Sequence, residues 1–258
     1  MILDEIAAKR KIRLEREKEA VPLETVKKAA ETAPPARNFK AAIQKKSLSV
    51  IAEVKKASPS KGVIRADFSP VFIAKAYEAA GADALSVLTE EDYFQGSLES
   101  LRKIHAEVSL PVLRKDFIFD PYQIYEARAA GADAVLLIAA LLEKDTLKEF
   151  GKLARSLGLA VLAEAHKEAE LSAALEAGAD IVGINNRDLK TFRVDLGVTA
   201  RLAKLVPKGV TLVSESGVGG HADAETLRQA GADAVLVGET LMRSADAGKT
   251  LRELRDGL

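Results

Sequence analysis

The tetrapeptide Ala-Gly-Ala-Asp occurs four times in this chain, at residues 80–83, 130–133, 177–180 and 230–233. Its glycines lie 47 to 53 residues apart, and each one follows a helix-like pattern of apolar residues. A glycine that ends a helix in the left-handed backbone region explains each position, because it lacks the Cβ that makes that region costly. Each repeat precedes a short apolar run, which is typical of a strand buried on both faces. The repeat therefore predicts four helix-to-strand units.

Four further apolar runs lie between these units and bring the number of predicted strands to eight. The predicted strands are residues 48–54, 84–88, 111–113, 134–138, 159–163, 181–184, 210–213 and 234–237. The predicted helices are residues 70–80, 98–108, 121–130, 144–157, 167–177, 196–205, 222–230 and 241–254. This alternation predicts an α/β protein of the (β/α)8 TIM-barrel class over residues 47–258. An open, doubly wound parallel sheet is the alternative.

Residues 1–46 precede this alternation and form a predicted N-terminal helical extension. Apolar residues spaced among charged ones indicate an amphipathic helix at its start, and a second helix is predicted near residues 23–31, before the Pro34-Pro35 break. The segment holds 12 Lys and Arg residues against 7 Asp and Glu residues. We expect it to cover one opening of the barrel. An arm that binds a partner or a polyanion is the alternative.

The composition narrows the classes of function. The 258 residues are 48% hydrophobic, and Lys and Arg together equal Asp and Glu at 38 each, which argues against nucleic acid as a partner. The absence of cysteine excludes thiolate chemistry, and the three scattered histidines form no metal motif. No apolar stretch is long enough for a signal peptide or a membrane helix. We expect a cytoplasmic monomer with no metal, nucleic-acid or membrane partner; its scarce Asn and Gln indicate a thermophilic source.

Polar and charged residues follow most of the predicted strands directly. In a barrel of this class the active site lies at the C-terminal ends of the strands, so these side chains are predicted to converge. The set comprises Glu53, Lys55, Lys115, Glu164, Asn185, Arg187, Glu215 and Glu239. Converging charges are costly unless they pair with one another or with a ligand. Lys115 is the candidate general acid and Glu164 the candidate general base, since a lysine and a carboxylate whose pKa values are tuned toward neutrality can move protons at a bound substrate. Neither role needs a metal.

The loops after the seventh and eighth predicted strands have the composition of an anion site. Barrels of this class often bind phosphate there, through backbone N–H groups and a short helix N-terminus. Ser216, Gly217 and Gly238 are the candidate phosphate-binding residues, and Glu239 is expected to turn its side chain away while its backbone N–H donates. Residues 217–222 also fit a dinucleotide fingerprint, but the polar residues before the first glycine argue against a nicotinamide cofactor.

Two further features border the predicted mouth of the barrel. Residues 57–62, which include Ser58, form either a plain connection or a mobile lid. Phe94 and Phe117 either pack in the core or give the mouth an apolar wall for an aromatic substrate. A phosphorylated small molecule is the substrate class that the mouth and its loops favour.

Four segments resemble signature segments of the indole-3-glycerol phosphate synthase family. They are Glu53-Val54-Lys55-Lys56-Ala57-Ser58-Pro59-Ser60, Leu113-Arg114-Lys115-Asp116-Phe117, Gly183-Ile184-Asn185-Asn186-Arg187-Asp188-Leu189 and Val213-Ser214-Glu215-Ser216-Gly217. The resemblance runs in order over nearly the whole chain, whereas sister barrels share only the phosphate loops. It implies a carboxy-lyase of tryptophan biosynthesis without cofactor or metal. The implied reaction closes 1-(2-carboxyphenylamino)-1-deoxyribulose 5-phosphate to indole-3-glycerol phosphate with loss of CO2 and water.

The resemblance also implies roles for individual residues. Lys115 resembles the general acid that assists attack on the ribulose carbonyl, and Glu164 resembles the acid/base carboxylate. Glu53 and Asn185 would position the substrate and the developing hydroxyl, and Lys55 would act near the substrate carboxylate and phosphate and as an acid in the dehydration. The predicted substrate contacts are Ser58, Phe94, Phe117, Arg187 and Glu215, and the predicted phosphate contacts are Ser216, Gly217, Gly238 and Glu239. Another phosphate-binding barrel enzyme, such as a phosphoribosyl isomerase or an FMN-dependent oxidoreductase, is the alternative.

Overall fold

Eight parallel strands close into a barrel in the computed structural model, which describes residues 2–188 and 190–257. The strands are β1 (Ser49–Val54), β2 (Ala57–Ser58), β3 (Gly62–Val63), β4 (Ala84–Leu88), β5 (Val112–Lys115), β6 (Ala134–Ile138), β7 (Ala160–Ala165), β8 (Ile181–Asn185), β9 (Thr211–Glu215) and β10 (Ala234–Val237). β2 and β3 form a small antiparallel hairpin, and the other eight pair in chain order until β10 pairs with β1. This closure confirms the predicted TIM barrel and shows that the open-sheet alternative is wrong.

Helices surround the barrel and alternate with its strands. They are α1 (Ile2–Ala20), α2 (Leu23–Thr32), α3 (Phe39–Ile43), α4 (Pro70–Ala79), α5 (Leu98–Glu107), α6 (Pro121–Ala129), α7 (Lys144–Ser156), α8 (Glu168–Glu176), α9 (Gly197–Leu202), α10 (His221–Gln229), α11 (Glu239–Arg243) and α12 (Ala247–Arg255). The sequence predicts one helix over residues 241–254, whereas the structure has two. The second begins afresh because Asp246 accepts a hydrogen bond from the Lys249 backbone N–H and caps α12.

Successive residues of each strand point alternately into the barrel and out toward the helices. On β1, Ile51 packs in an inner apolar cluster, whereas Val50 and Ala52 pack in the cluster shared with the helices. Ile51 lies opposite Leu236 of β10, which belongs to the same inner cluster. Because side chains alternate along a strand, Glu53 also faces inward, nearer the C-terminal end. The last inner residue of a strand therefore points into the mouth of the barrel.

The Ala-Gly-Ala-Asp repeat closes the N-terminal end of the barrel. Its glycines have φ of +86° to +102°, as the sequence predicts for glycines that end helices. Three of its aspartates accept a hydrogen bond of 2.7 or 2.8 Å from a backbone N–H of the neighbouring strand: Asp83 from Val50, Asp133 from Val112 and Asp233 from Leu212. Asp180 differs, because its carboxylate pairs with Lys40 at 2.9 Å. The repeat thus joins adjacent strands where they begin.

The N-terminal extension reaches both ends of the barrel, which goes beyond the expected cover over one opening. α1 lies at the C-terminal end, where buried Arg10 pairs with Asp116 directly after β5 at 3.1 Å. α2 packs against α6 on the outside. The short helix α3, which the sequence does not predict, lies at the N-terminal end, where Phe39 and Ile43 join the inner apolar cluster. The extension therefore contributes directly to the mouth.

Four barrel strands end later than the sequence predicts. β5, β7, β8 and β9 run to Lys115, Ala165, Asn185 and Glu215, whereas the predicted strands stop one or two residues earlier. Pairing between strands uses only backbone N–H and C=O groups, so it continues where polar side chains interrupt the apolar run. The barrel itself, and not a loop, therefore holds Lys115, Glu164, Asn185 and Glu215 in place.

Candidate active site

Five polar side chains form an inward-facing ring at the C-terminal end of the barrel. They are Glu53 on β1, Lys115 on β5, Glu164 on β7, Asn185 on β8 and Glu215 on β9, and all of them line one cavity. Each of them is the last inward-facing residue of its strand, because alternation along the strand places it in the inner row. The structure therefore brings together the residues that the sequence singles out at these strand ends.

Lys115 stands at the centre of this ring, between two carboxylates. Its Nζ lies 2.8 Å from Oε2 of Glu164 and 2.5 Å from Oε2 of Glu215. The other oxygen of Glu164, Oε1, accepts a 3.3 Å hydrogen bond from the side-chain amide of Asn185. Both carboxylates are buried, so little water competes for these contacts. The arrangement fixes one ammonium group at the floor of the cavity.

The three charges shift one another's pKa values. Burial disfavours the ammonium of Lys115, but the surrounding carboxylates, led by Glu164, outweigh burial and raise its pKa above the ordinary value. Burial also favours the neutral acid at Glu164, yet the charge of Lys115 outweighs it and lowers the pKa of Glu164 to about 2. At Glu215 burial dominates and, with the charge of Glu164, raises the pKa to about 7. The pKa values of Lys115 and Glu164 thus move away from neutrality, contrary to the tuning that the sequence leads us to expect, whereas that of Glu215 moves toward it.

Glu215 occupies space that only a glycine leaves open. A Cβ built on Gly183 would lie 2.1 Å from Oε1 of Glu215, so any larger residue would displace the carboxylate. Within the part of the chain that the structure describes, this Oε1 is buried and has no hydrogen-bond partner. A buried carboxyl oxygen without a donor is costly, which agrees with the raised pKa of this group.

A second ion pair lies beside the first. Nζ of Lys55 is 2.5 Å from Oε2 of Glu53, so the two side chains point to the same side, as their spacing on an extended strand predicts. A Cβ on Gly238 would lie 2.2 Å from that same oxygen. Gly238, a candidate phosphate contact by sequence, therefore also makes room for the carboxylate of Glu53.

The cavity above these charges has a volume of about 510 Å³ and one apolar side. The rings of Phe94 and Phe117 both line it, with centroids 6.2 Å apart and planes tilted by 41°. Both rings border the cavity, and Phe117 also packs against the inner apolar cluster of the barrel. Leu3 and Ile6 of α1 line it as well, a contribution that sequence reasoning missed. The amphipathic pattern of α1 predicts a buried face but not the surface that buries it.

The glycine-rich loop after β9 and the single residue Gly238 after β10 form the opposite side of the cavity. Ser216, a non-glycine residue, has a φ of +67°, and Gly217 follows with +95°. Such backbone in a non-glycine residue costs free energy and often marks a functional turn. A Cβ on Gly217 would lie 2.4 Å from the side chain of Val194, so this turn also needs glycine for space. Gly238 and the first residues of α11 line the cavity next to it.

The remaining predicted site residues lie at the rim. The carboxylate of Glu239 pairs with Arg243 at 3.0 Å and lies 3.7 Å from Arg187 and 3.9 Å from Lys61. Three cations therefore surround this side chain. Ser58 lines the cavity from the β2–β3 hairpin, which is the structure adopted by the segment expected to be either a connection or a lid.

Sequence reasoning missed two groups of charges that support the ring. Arg10 of α1 and Asp116, the residue after Lys115, form a buried ion pair. His166 lies beside Glu164, with 3.5 Å between its Nε2 and the Oε1 of Glu164. A lone histidine after a predicted strand carries no spacing signal, and a contact between residues 106 positions apart carries none either. Leu189, the last residue of one signature segment, lies outside the described residues.

Comparison with known proteins identifies relatives along the whole chain. A family model described as "Indole-3-glycerol phosphate synthase" matches residues 3–254. The chain is 54% identical to the indole-3-glycerol phosphate synthase of Ruminiclostridium cellulolyticum, over 99% of each chain. It is 51% identical to that of Alkaliphilus metalliredigens, over 100% of this chain and 99% of the other.

Solved structures of lower identity share the fold. A 3-hexulose-6-phosphate synthase from Salmonella typhimurium superposes with a TM-score of 0.66 at 16% identity, over 81% of this chain and 97% of that one. A thiamine phosphate pyrophosphorylase from Pyrococcus furiosus gives 0.62 at 19% identity, over 83% and 96%. Identities this low show the barrel architecture and nothing about the chemistry.

The helices that lie within residues 2–188 and 190–257 are all too short or too polar to cross a membrane.

The family match spans almost the entire chain, and the two relatives share more than half of their residues with it. The chain therefore belongs to the indole-3-glycerol phosphate synthase family.

Proposed function

We propose that this chain is a carboxy-lyase of tryptophan biosynthesis. It closes 1-(2-carboxyphenylamino)-1-deoxyribulose 5-phosphate to indole-3-glycerol phosphate and releases CO2 and water. The observation that carries the proposal is the ammonium of Lys115, held between Glu164 and Glu215 on the floor of the cavity. An aromatic wall borders that floor on one side and glycine-rich loops border it on the other, which suits a substrate with an aromatic ring at one end and a phosphate at the other.

Lys115 acts as the general acid in the ring closure. Its ammonium polarises the ribulose carbonyl and donates a proton to the oxygen while the aromatic ring attacks the carbonyl carbon. The carboxylates that raise the pKa of Lys115 keep it protonated before the substrate binds. When Nζ turns toward the carbonyl, its contact with Glu164 lengthens and the proton becomes easier to release.

Glu164 acts as the base, and a second lysine assists the loss of water. The low pKa of Glu164 keeps it ionised, so it accepts a proton from the substrate during dehydration. Lys55, oriented by Glu53 at 2.5 Å, is the acid for the departing hydroxyl. Asn185 orients the carboxylate of Glu164 and contacts the developing hydroxyl. These steps are proton transfers and loss of CO2, so the proposed chemistry needs neither a cofactor nor a metal.

The two sides of the cavity bind the two ends of the substrate. Phe94 and Phe117 pack against the anthranilate ring, because aromatic rings stack favourably in tilted pairs. Ser58, Arg187 and Glu215 contact the polar groups between the two ends. The phosphate lies against the backbone of Ser216, Gly217, Gly238 and Glu239, where α11 begins. The side chain of Glu239 stays with its three cations and away from the phosphate.

The proposal extends to the domain organisation, oligomeric state, location and source of the enzyme. Residues 1–46 form a helical extension and residues 47–258 the barrel, together one domain. We propose a cytoplasmic monomer from a thermophilic source, without nucleic-acid or membrane partners. Light scattering should give a mass near 27.6 kDa. A melting midpoint within roughly 45–65 °C, the range of ordinary mesophile domains, would contradict the thermophilic origin.

Formation of the indole product tests the proposed reaction directly. The chain contains no tryptophan, so the protein adds little fluorescence where indole emits. Purified protein, dialysed against a chelator, is mixed with the carboxyphenylamino-deoxyribulose phosphate without added metal or cofactor. We expect the indole signal to rise at a rate proportional to enzyme concentration. Folded protein that produces no signal would refute the assigned substrate.

A further inference from the structure

His166 lies just beyond the end of β7, with its imidazole between two carboxylates. Its Nε2 is 3.5 Å from Oε1 of Glu164, and its Nδ1 is 3.3 Å from Oε2 of Glu170. The backbone N–H of His166 donates to the same oxygen of Glu170 at 2.8 Å. Glu170 in turn lies on α8, so the helix fixes the position of the ring. The imidazole therefore contacts both an active-site carboxylate and a carboxylate outside the cavity.

Nε2 of His166 is a buried ring nitrogen with no hydrogen bond among residues 2–188 and 190–257. The nearby Oε1 of Glu164 accepts from Asn185 at 3.3 Å, and Oε2 pairs with Lys115 at 2.8 Å. A neutral imidazole would present a lone pair to one of its two carboxylates, whereas an imidazolium presents an N–H to each. The geometry therefore favours the charged ring.

The charges that face His166 come from four elements. Carboxylates approach it from Glu164 on β7, Glu170 on α8 and, farther away, Glu215 on β9. The facing cations are Lys115 on β5, on the far side of Glu164, and Lys167, which lies 3.3 Å from Glu170. Burial lowers the pKa of His166, but the hydrogen bond to Glu170 and the charge of Glu164 outweigh burial and raise it. The surroundings thus favour a positive charge on the ring.

We propose that His166, anchored by Glu170, is a positioning residue that keeps a positive charge beside Glu164 while Lys115 is without its proton. The inference rests on the proposed function, in which Lys115 is the acid and Glu164 the base. Once Lys115 has protonated the carbonyl, Glu164 and Glu215 lose the cation between them. Within the described part of the chain, His166 is then the remaining cation within 4 Å of Glu164, and its free N–H can close the 3.5 Å gap.

Titration of the histidines by NMR tests the charge coupling without any need for activity. Long-range proton–nitrogen spectra of the three histidines report protonation and tautomer, and His166→Gln assigns the signal. We expect His166 to carry both ring protons at pH 7. Its pKa should fall by about one unit or more in Glu164→Gln, since an opposite charge within 4–6 Å shifts a pKa by about 1–3 units. Glu168→Gln, on the exposed face of α8, is the matched control and should leave it unchanged.

A neutral single tautomer at pH 7 would overturn the proposal. So would an equal pKa of His166 in the wild type and in Glu164→Gln. Both outcomes are measured on folded protein without substrate, so they stay separate from a failure of the proposed reaction. If the wild type forms no product at all, the proposed function is wrong. The NMR titration then tests the coupling between His166 and Glu164 by itself.

Kinetics then test what the coupling does in the reaction. In His166→Gln we expect kcat to fall about tenfold with KM within about twofold, the size of one pKa unit of lost electrostatic stabilisation. The acidic limb of the kcat profile should move to higher pH, because Glu164 without the cation binds a proton more readily. His221→Gln, on the exposed start of α10, is the control and should match the wild type. An unchanged pH profile, or a loss confined to KM, would contradict a positioning role.

Discussion

At the N-terminal end of the barrel, the buried aspartates of the repeat accept hydrogen bonds from backbone N–H groups, whereas at the C-terminal end three glutamates share two lysines. Asp133 illustrates the first arrangement, because its two oxygens accept from the backbone N–H groups of Arg37 and Val112 at 2.7 and 2.8 Å. Glu215 illustrates the second, because one of its oxygens is without a donor in the described part of the chain.

The difference lies in what surrounds a buried carboxylate and not in the residue type. Backbone donors are fixed by the strands and meet the charge without a competing partner, so they stabilise the fold. Where few lysines pair with several carboxylates, some of the negative charge stays uncompensated, which lowers the stability of the fold. The same shortage of cations allows proton transfer at the mouth, since a bound substrate can replace one member of an ion pair. Variants at the two ends should therefore fail in different ways.

The largest effect is expected when the shared cation at the mouth is removed. Lys115→Met should lower kcat by about 10³-fold or more, because general acid catalysis contributes about 10²–10⁴-fold and the variant also loses a charge at the carbonyl. The protein should still fold and bind substrate. Indole fluorescence gives the rate, and circular dichroism checks the fold.

Lys75→Met is the matched control for this variant. Lys75 also pairs with a carboxylate at 2.6 Å, that of Glu107, but on the exposed surface of α4. We expect its kcat to equal that of the wild type. A Lys115→Met enzyme that turns over at a near-normal rate would remove Lys115 from the acid role.

At the other end of the barrel, Asp133→Ala should reduce stability and leave the chemistry intact. The change leaves two backbone N–H groups without their acceptor, each at a cost of about 1–3 kcal/mol, so we expect a loss near 3 kcal/mol in the free energy of unfolding. Urea unfolding measures the loss. The kcat of the folded fraction should match that of the wild type, and a drop in kcat at unchanged stability would contradict the division between the two ends.

At the mouth, Glu215→Gln should increase stability by an amount that grows as the pH rises from 4.5 to about 7. Burial raises the pKa of Glu215 from its ordinary value of 4.5 to about 7, so the folded state binds a proton more tightly than the unfolded state. The wild type therefore loses stability as the pH rises from 4.5 to 7, and glutamine does not. We expect Glu215→Gln to be more stable by about 3 kcal/mol at pH 8, at about 1.4 kcal/mol for each pKa unit, and equal to the wild type near pH 4. If Glu215→Gln and the wild type differ in the free energy of unfolding by the same amount at both pH values, titration of Glu215 is not the cause.

The sequence predicts the barrel and most of its mouth because both depend on local patterns. Apolar runs and helix-ending glycines mark the strands and helices, and alternation along a strand is enough to place Glu53 and Lys55 on one side. Strand ends are less predictable. Backbone pairing tolerates polar side chains that interrupt an apolar run, so Lys115, Glu164, Asn185 and Glu215 belong to strands.

Features that depend on distant contacts leave no signal in the sequence. Arg10 reaches Asp116 across 106 positions, and no pattern in α1 reveals which opening the helix borders. Gly183 gives space to Glu215, but a glycine within an apolar run indicates only a weak point in a strand. His166 acts through the carboxylate of Glu164. The two-residue spacing between Glu164 and His166 is equally compatible with a solvent-exposed imidazole, so the sequence does not predict this contact.

The smallest effect is expected for Asp180, the aspartate of the third copy of the repeat. Asp180 has a side chain that is 48% exposed, and it pairs with Lys40 instead of a backbone N–H. Exposed ion pairs contribute about 0–1 kcal/mol, so Asp180→Ala should lower the free energy of unfolding by less than about 1 kcal/mol, well below the loss in Asp133→Ala. Urea unfolding of both variants side by side tests this ranking. Equal losses would mean that the acidic residue of the repeat acts through its charge, whereas unequal losses would tie its effect to the backbone donors that Asp133 reaches and Asp180 does not.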